Sequence, residues 1–163
     1  ISSVNFAINQ AKKFLHIKIR KTLYNSLFRS HLEFGIIGWG SVSSTKLKRI
    51  TTLQKKCVRN VAGKKYRSHT DPIFKSLNIL KFEDLFMYNC STFMHKCMMG
   101  KAPESFKNMF TPFPPPNRTC NFILEKYKSI YLSQFPIYFL PKIWNEILSS
   151  LNRLIPIVCS KKS

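Results

Sequence analysis

The chain has 163 residues, with 27 Lys and Arg against 7 Asp and Glu, for a formal net charge of +20 at pH 7. Its 44% hydrophobic and 13% aromatic content excludes wholesale disorder and is enough for a substantial core. Self-repulsion at such a charge opposes the compact state, so the excess points to a polyanionic partner, nucleic acid first and a charged membrane surface second.

In chain order, Val4 to Ile19 reads as a helix with Phe6, Ile8, Phe14 and Leu15 apolar and Lys12 and Lys13 exposed. A second helix, Ile19 to Ile37, carries Leu23, Leu27 and Phe34, with Tyr24, Phe28 and Leu32 widening the apolar surface, which predicts a largely buried element. Glycines at Gly35, Gly38 and Gly40 end it, and Ser41 to Ser44 form a loop.

Thr45 to Ala62 is the clearest helix. At roughly 100° per residue, Leu47, Ile50, Leu53, Cys57, Val58 and Val61 share an arc of roughly 140°, and Lys48, Arg49, Lys55, Lys56 and Arg59 share one of roughly 120° opposite. Gly63 is a helix stop, and Lys64 and Lys65 follow where the helix dipole favours cations.

Asp71-Pro72 predicts a helix start capped by Asp71, with a short helix from Pro72 to Leu77. A long helix starts near Lys81 with Glu83 and Asp84 in its first turn, an apolar stripe of Phe82, Phe86, Cys90, Phe93 and Cys97, and Gly100 as its end. Pro103 to Phe110 reads as one further short helix. The run Thr111 to Asn117, rich in proline, is extended and breaks the helical pattern. Cys120 to Leu132 is short, mixed and strand-like, Pro141 to Leu151 is a final helix with Trp144, and Ile155 to Ser163 is aperiodic. The expected fold is all-α: a small helical bundle over 1–110, a Pro-rich linker over 111–119 and a short mixed appendage over 120–163.

No apolar run approaches the roughly 18 residues of a membrane span, and the N-terminus has no signal-peptide pattern. Because the first residue is Ile1, a piece of a longer or processed polypeptide is expected. Cys57, Cys90, Cys97, Cys120 and Cys159 are odd in number and widely spaced, the pattern of reduced intracellular thiols, which fits nucleus or cytoplasm. The triplet Asn117-Arg118-Thr119 would go unglycosylated there.

The acids are scattered, and the one adjacent pair, Glu83-Asp84, opens a helix where a dipole role outweighs catalysis. Cys90, His95 and Cys97 match no zinc-finger spacing, and His95 points roughly 140° away from the cysteine stripe, so core thiols are expected, with no metal and no cofactor. His31 and His69 read as structural, and Trp39 and Trp144 as packing anchors. The sharp signal is the basic face, because Thr45 to Arg67 contains no acid to make it an ordinary mixed surface. Lys48, Arg49, Lys55, Lys56, Arg59, Lys64, Lys65 and Arg67 are the expected phosphate contacts, with Tyr66 as a stacking aromatic among them.

Leu23-Tyr24-Asn25-Ser26-Leu27, His31-Leu32-Glu33-Phe34-Gly35 and Trp39-Gly40 resemble non-LTR retrotransposon reverse transcriptases of the jockey-like group, where the chain leaves the palm for the thumb. Leu53-Gln54-Lys55-Lys56-Cys57-Val58-Arg59 is similar to that family's Leu-Gln-(Lys/Arg)-x-x-(Val/Ala)-Arg helix. The likeness continues, in order, through His69-Thr70-Asp71-Pro72-Ile73-Phe74, Leu77-x-Ile79-Leu80, Lys101-Ala102-Pro103 and Ile143-Trp144-Asn145.

The resemblance implies an all-helical thumb and C-terminal region with no active site of its own. The paired aspartates and their magnesium would sit in the palm, outside these residues. The implied partners are template RNA, RNA–DNA hybrid and the palm of the parent polypeptide, with no membrane and no small-molecule substrate. The alternatives are a freestanding basic RNA-binding structural protein, a membrane-surface module and an inactive fragment of a decayed element.

Overall fold

The computed structural model describes residues 2–107, 109–113 and 121–154, and the side chains of Ser44, Lys107 and residues 151–154 fall outside that description. Most of the expected linker, the triplet at Asn117, Cys120, Cys159 and the aperiodic end therefore lie outside the described residues. The described residues are all-helical, without a named strand. In order they form α1 (Ser2–Ala11), α2 (Ile17–Leu23), a π-helical stretch (Tyr24–Arg29), α3 (Ser30–Glu33), α4 (Ile36–Trp39), α5 (Ser44–Ala62), α6 (Asp71–Leu77), α7 (Phe82–Met98), α8 (Glu104–Lys107), a 3₁₀ turn (Leu132–Gln134) and α9 (Pro136–Leu154). None of these helices is long and apolar enough to cross a membrane. By backbone packing the chain divides into two units, 1–86 and 87–163.

The first unit is a small helical bundle around Ile8, Tyr24, Phe28, Leu32, Ile36, Cys57, Val58, Val61, Ile73, Phe74, Leu77, Phe82 and Leu85. The helix expected from Val4 to Ile19 is two helices, because α1 stops at Ala11 and His16 begins α2, its Nδ1 accepting from the Lys18 amide at 3.4 Å. From Ile17 to Glu33 the backbone stays helical but widens to π geometry over Tyr24–Arg29. Its buried stripe is Tyr24, Phe28 and Leu32, spaced by four, whereas Leu27 and Phe34 face outward. The expected helix thus ends at Glu33, and left-handed Gly35 separates it from α4.

Gly40 is required by packing, since a Cβ there would run into the ring of Phe86 and lie 2.5 Å from the Ile36 carbonyl oxygen. Trp39 stacks on Phe82 with ring centroids 5.6 Å apart and donates from Nε1 to the Phe34 carbonyl at 2.8 Å, the packing role expected for it.

α5 matches the expected helix. Its apolar arc also holds Gln54, which is 1% exposed and donates from Nε2 to the Tyr24 hydroxyl oxygen at 3.0 Å and to the Leu80 carbonyl at 2.9 Å. Gly63, at φ 69°, ends α5 in a Schellman turn: the Gly63 amide donates to the Asn60 carbonyl at 3.2 Å and the Lys64 amide to the Arg59 carbonyl at 3.0 Å. Asp71 does not cap α6; Thr70 occupies the cap position, and Asp71 pairs with Lys81 at 2.8 Å. That pair holds the Asp71 carboxyl below and the Lys81 ammonium above their ordinary values.

The second unit starts within α7. Of the expected stripe, Cys90 is fully buried and Phe93 and Cys97 are half-buried, while Met94, outside the expected stripe, is fully buried too. Gly100, at φ 65°, ends α7 as expected. Phe93 meets Phe106 of α8 edge to face at 5.2 Å. The helix expected over Pro103–Phe110 is shorter, Glu104–Lys107.

The strand-like reading of Cys120–Leu132 is corrected. A single antiparallel bridge joins Pro112 and Phe122, with the Phe113 amide on the Asn121 carbonyl at 3.1 Å and the Ile123 amide on the Thr111 carbonyl at 2.9 Å. Asn145 clamps this bridge to α9, accepting from the Phe122 amide at 3.0 Å and donating to the Phe122 carbonyl at 2.8 Å. α9 begins at Pro136, one turn before the expected start, and absorbs Pro141 in its interior with Leu140 and Trp144 buried.

Candidate nucleic-acid interface

The cations of α5 gain their positions from the apolar residues opposite. Burial of Cys57, Val58 and Val61 fixes the helix rotation, so Lys48, Arg49, Lys56 and Arg59 turn away from the core. The same rotation lays α1 alongside, where Asn60 Nδ2 donates to Asn5 Oδ1 at 2.9 Å.

Two clefts open on this side. The larger, about 370 Å³, is walled by Asn5 and Asn9 of α1 and Lys12 just after it, by Lys56, Arg59 and Asn60 of α5, and by Lys64, Lys65 and Tyr66 of the following turn. The other, about 350 Å³, is lined by Ser2, Lys48, Arg49, Thr52, Leu53 and Lys56. Lys56 belongs to both, and neither lining contains a carboxylate. A continuous band of positive charge therefore runs along the first unit, with concave stretches that hold counter-charge close.

Arg59 is more tightly held than its neighbours. Its Nε donates to the Ser68 carbonyl at 2.9 Å, and its guanidinium carbon sits 5.8 Å from the centroid of the Tyr66 ring. One edge of Arg59 thus fixes the turn after α5, and the terminal nitrogens carry its charge to the cleft wall. Tyr66 itself is 72% exposed.

Arg20 braces the same turn from beneath. It is 9% exposed, donates from Nη1 to the Asn60 carbonyl at 3.0 Å, and brings positive charge to the C-terminal carbonyls of α5. Its Nε has no hydrogen-bond partner among the described residues.

The structure thus brings Lys56, Arg59, Lys64, Lys65 and Tyr66 around one cleft and Lys48, Arg49 and Lys56 around the next. Lys55 and Arg67 line neither: Lys55 lies on the α6 side, where its charge helps lower the Asp71 carboxyl, and Arg67 is exposed. Lys12, Asn5, Asn9 and Asn60 join the site without having been expected there. Asn5 and Asn9 recur at helical spacing on α1, a polar pair beside buried Ile8 that could have revealed them.

Cys57 and Cys90 are fully buried, and burial raises both thiols to about 12. Among the described residues, no group of three His, Cys, Asp or Glu side chains is arranged to hold a metal ion. The chain matches no protein family, no curated protein and no solved structure with which it was compared.

Proposed function

We propose that this chain is a non-catalytic nucleic-acid-binding segment, the thumb and C-terminal region of a retrotransposon RNA-directed DNA polymerase, that grips template RNA and RNA–DNA hybrid by their backbones. The observation that carries this reading is the band of Lys48, Arg49, Lys56, Lys64 and Lys65 along two adjoining clefts whose walls hold no acid. Lysine and arginine side chains so placed neutralise phosphates and release counterions without reading sequence. The ordered likeness to jockey-like elements supplies the polymerase setting; the palm of the parent chain, with its magnesium, would supply the chemistry.

The alternative is a freestanding basic RNA-binding structural protein, which would use the same basic clefts without a polymerase. Paired aspartates of a palm in the reading frame ahead of Ile1 would exclude it.

Hybrid binding measured against salt tests the grip. Log affinity should fall linearly with log salt, and the double variant Lys48→Gln/Arg49→Gln should flatten that slope by about 2, about 1 for each lost phosphate contact. Circular dichroism should show the variant folded. A salt-independent affinity, or an unchanged slope in the variant, rejects a backbone grip.

A further inference from the structure

The larger cleft differs from a flat basic face in ways that bear on which form of nucleic acid enters it. Its volume, about 370 Å³, lies in the range of roughly 300–1,000 Å³ typical of sites that enclose a single small ligand, and it is too small to admit both strands of a duplex. Its mouth carries an aromatic ring. Tyr66 is 72% exposed although the Arg59 guanidinium lies over it at 5.8 Å, so the ring keeps apolar surface available to a planar partner. Arg59 is anchored through Nε to the Ser68 carbonyl at 2.9 Å, which holds the cation and the ring beneath it in one arrangement.

The other walls are polar in a complementary way. Asn5 and Asn60 both line the cleft, and the bond from Asn60 Nδ2 to Asn5 Oδ1 uses one donor and one acceptor, so each side chain keeps further hydrogen-bonding capacity for a ligand's polar edge. Lys12, Lys64 and Lys65 set positive charge around this amide floor, with no carboxylate among the lining residues. An anion with one flat face and a hydrogen-bonding edge satisfies all three walls. In a paired duplex the base faces are stacked against each other and cannot reach Tyr66; an unpaired nucleotide presents face, edge and phosphate together.

We infer that the cleft between α1 and the turn after α5 receives one unpaired nucleotide of a single strand, its base on Tyr66 and its phosphate among Lys12, Lys64 and Lys65. This inference rests on the reading of α5 as a nucleic-acid grip and adds to it a preference for single-stranded over fully paired substrate. The second cleft, at Lys48 and Arg49, has no aromatic residue in its lining and contributes charge alone.

The full chain is titrated by fluorescence anisotropy against three labelled probes of equal length at one salt concentration: oligouridine, oligothymidine and a blunt RNA–DNA hybrid. Tighter binding of the single strands than of the hybrid is expected. Tyr66→Ala should weaken single-strand binding by about 5- to 150-fold and leave the blunt hybrid within about twofold, and Tyr66→Phe should keep the ring and the preference. Tyr66 is exposed, and circular dichroism checks that Tyr66→Ala is folded. Lys48→Gln/Arg49→Gln should weaken all three probes alike. If Tyr66→Ala leaves single-strand binding intact, or lowers hybrid binding equally, the nucleotide cleft is rejected while a salt-sensitive hybrid affinity leaves the grip standing. If no probe binds, both fail.

Discussion

Asn60 on α5 donates its side-chain amide to Asn5 on α1 at 2.9 Å, while its backbone carbonyl accepts from Arg20 at 3.0 Å and from the Gly63 amide at 3.2 Å. One residue thereby ties three segments around the larger cleft. A double-mutant cycle with Asn5→Ala and Asn60→Ala reads the side-chain bond apart from the backbone ones. Each single variant should lower stability by about 1 kcal/mol, with a coupling of at least about 0.5 kcal/mol in urea unfolding. Additive losses would mean that the two amides do not act as a pair.

The turn after α5 depends on a left-handed residue. Gly63→Ala places a Cβ at φ 69°, where an L side chain costs roughly 1–2 kcal/mol, and 3.4 Å from Arg20 Nη1. The variant should lose about that much stability and also weaken nucleic-acid binding, because Lys64, Lys65 and Tyr66 take their positions from this turn. Gly38→Ala is the control, since nothing lies within 4 Å of a Cβ there. Equal losses in the two variants would remove the special role of Gly63.

How much of this was legible in advance depends on the signal each residue carries. α5 and its basic face follow from periodicity, because a strong amphipathic arc and a Gly stop agree with each other. The break between Ala11 and Ile17 has no proline or glycine to announce it, and His16 is a weak cap that composition does not flag. The π-helical stretch at Tyr24–Arg29 likewise leaves no trace in residue type, although it shifts the buried stripe to Tyr24, Phe28 and Leu32. Lys12 could be read as exposed but not as part of the site, since its proximity to Lys64 depends on how α1 lies against α5. Gln54 was hidden by its polarity: periodicity set it among apolar residues, and only its bonds to Tyr24 and Leu80 explain why it is there.

That buried glutamine makes a sharp comparison. Tyr24→Phe removes one acceptor but leaves Gln54 Nε2 its bond to Leu80, so the loss should be about 1 kcal/mol. Gln54→Ala strips both bonds, leaves the Leu80 carbonyl without this donor, and opens a cavity, for a loss of about 2–4 kcal/mol. Gln54→Leu should fall between the two, because it strips the same bonds as Gln54→Ala but keeps most of the side-chain volume and so leaves little cavity. Thermal unfolding of the three variants ranks them; a Tyr24→Phe loss exceeding that of Gln54→Ala would show that the hydroxyl, and not the amide, organises the node.

Alkaline pH tests the core independently of any ligand. Burial raises the Cys57 and Cys90 thiols from 9.0 to about 12 and the Tyr24 phenol from 10.0 to about 12. A raised folded-state pKa means that the unfolded chain loses these protons first. The stability they contribute is therefore complete below about pH 9 and is lost progressively as pH rises toward 12, for a sum on the order of several kcal/mol. Lysine deprotonation works the other way in the same range, because it relieves the self-repulsion of a +20 chain. The measurement is consequently a difference of slopes: urea midpoints of the native chain and of Cys57→Ala, Cys90→Ala and Tyr24→Phe between pH 8 and pH 11. Each variant should start lower and fall less steeply than the native chain, since it has one fewer buried proton to lose. Parallel curves would show that these groups ionise alike in both states. Iodoacetamide supplies a second readout at pH 8, where half-buried Cys97 should react before fully buried Cys57 and Cys90.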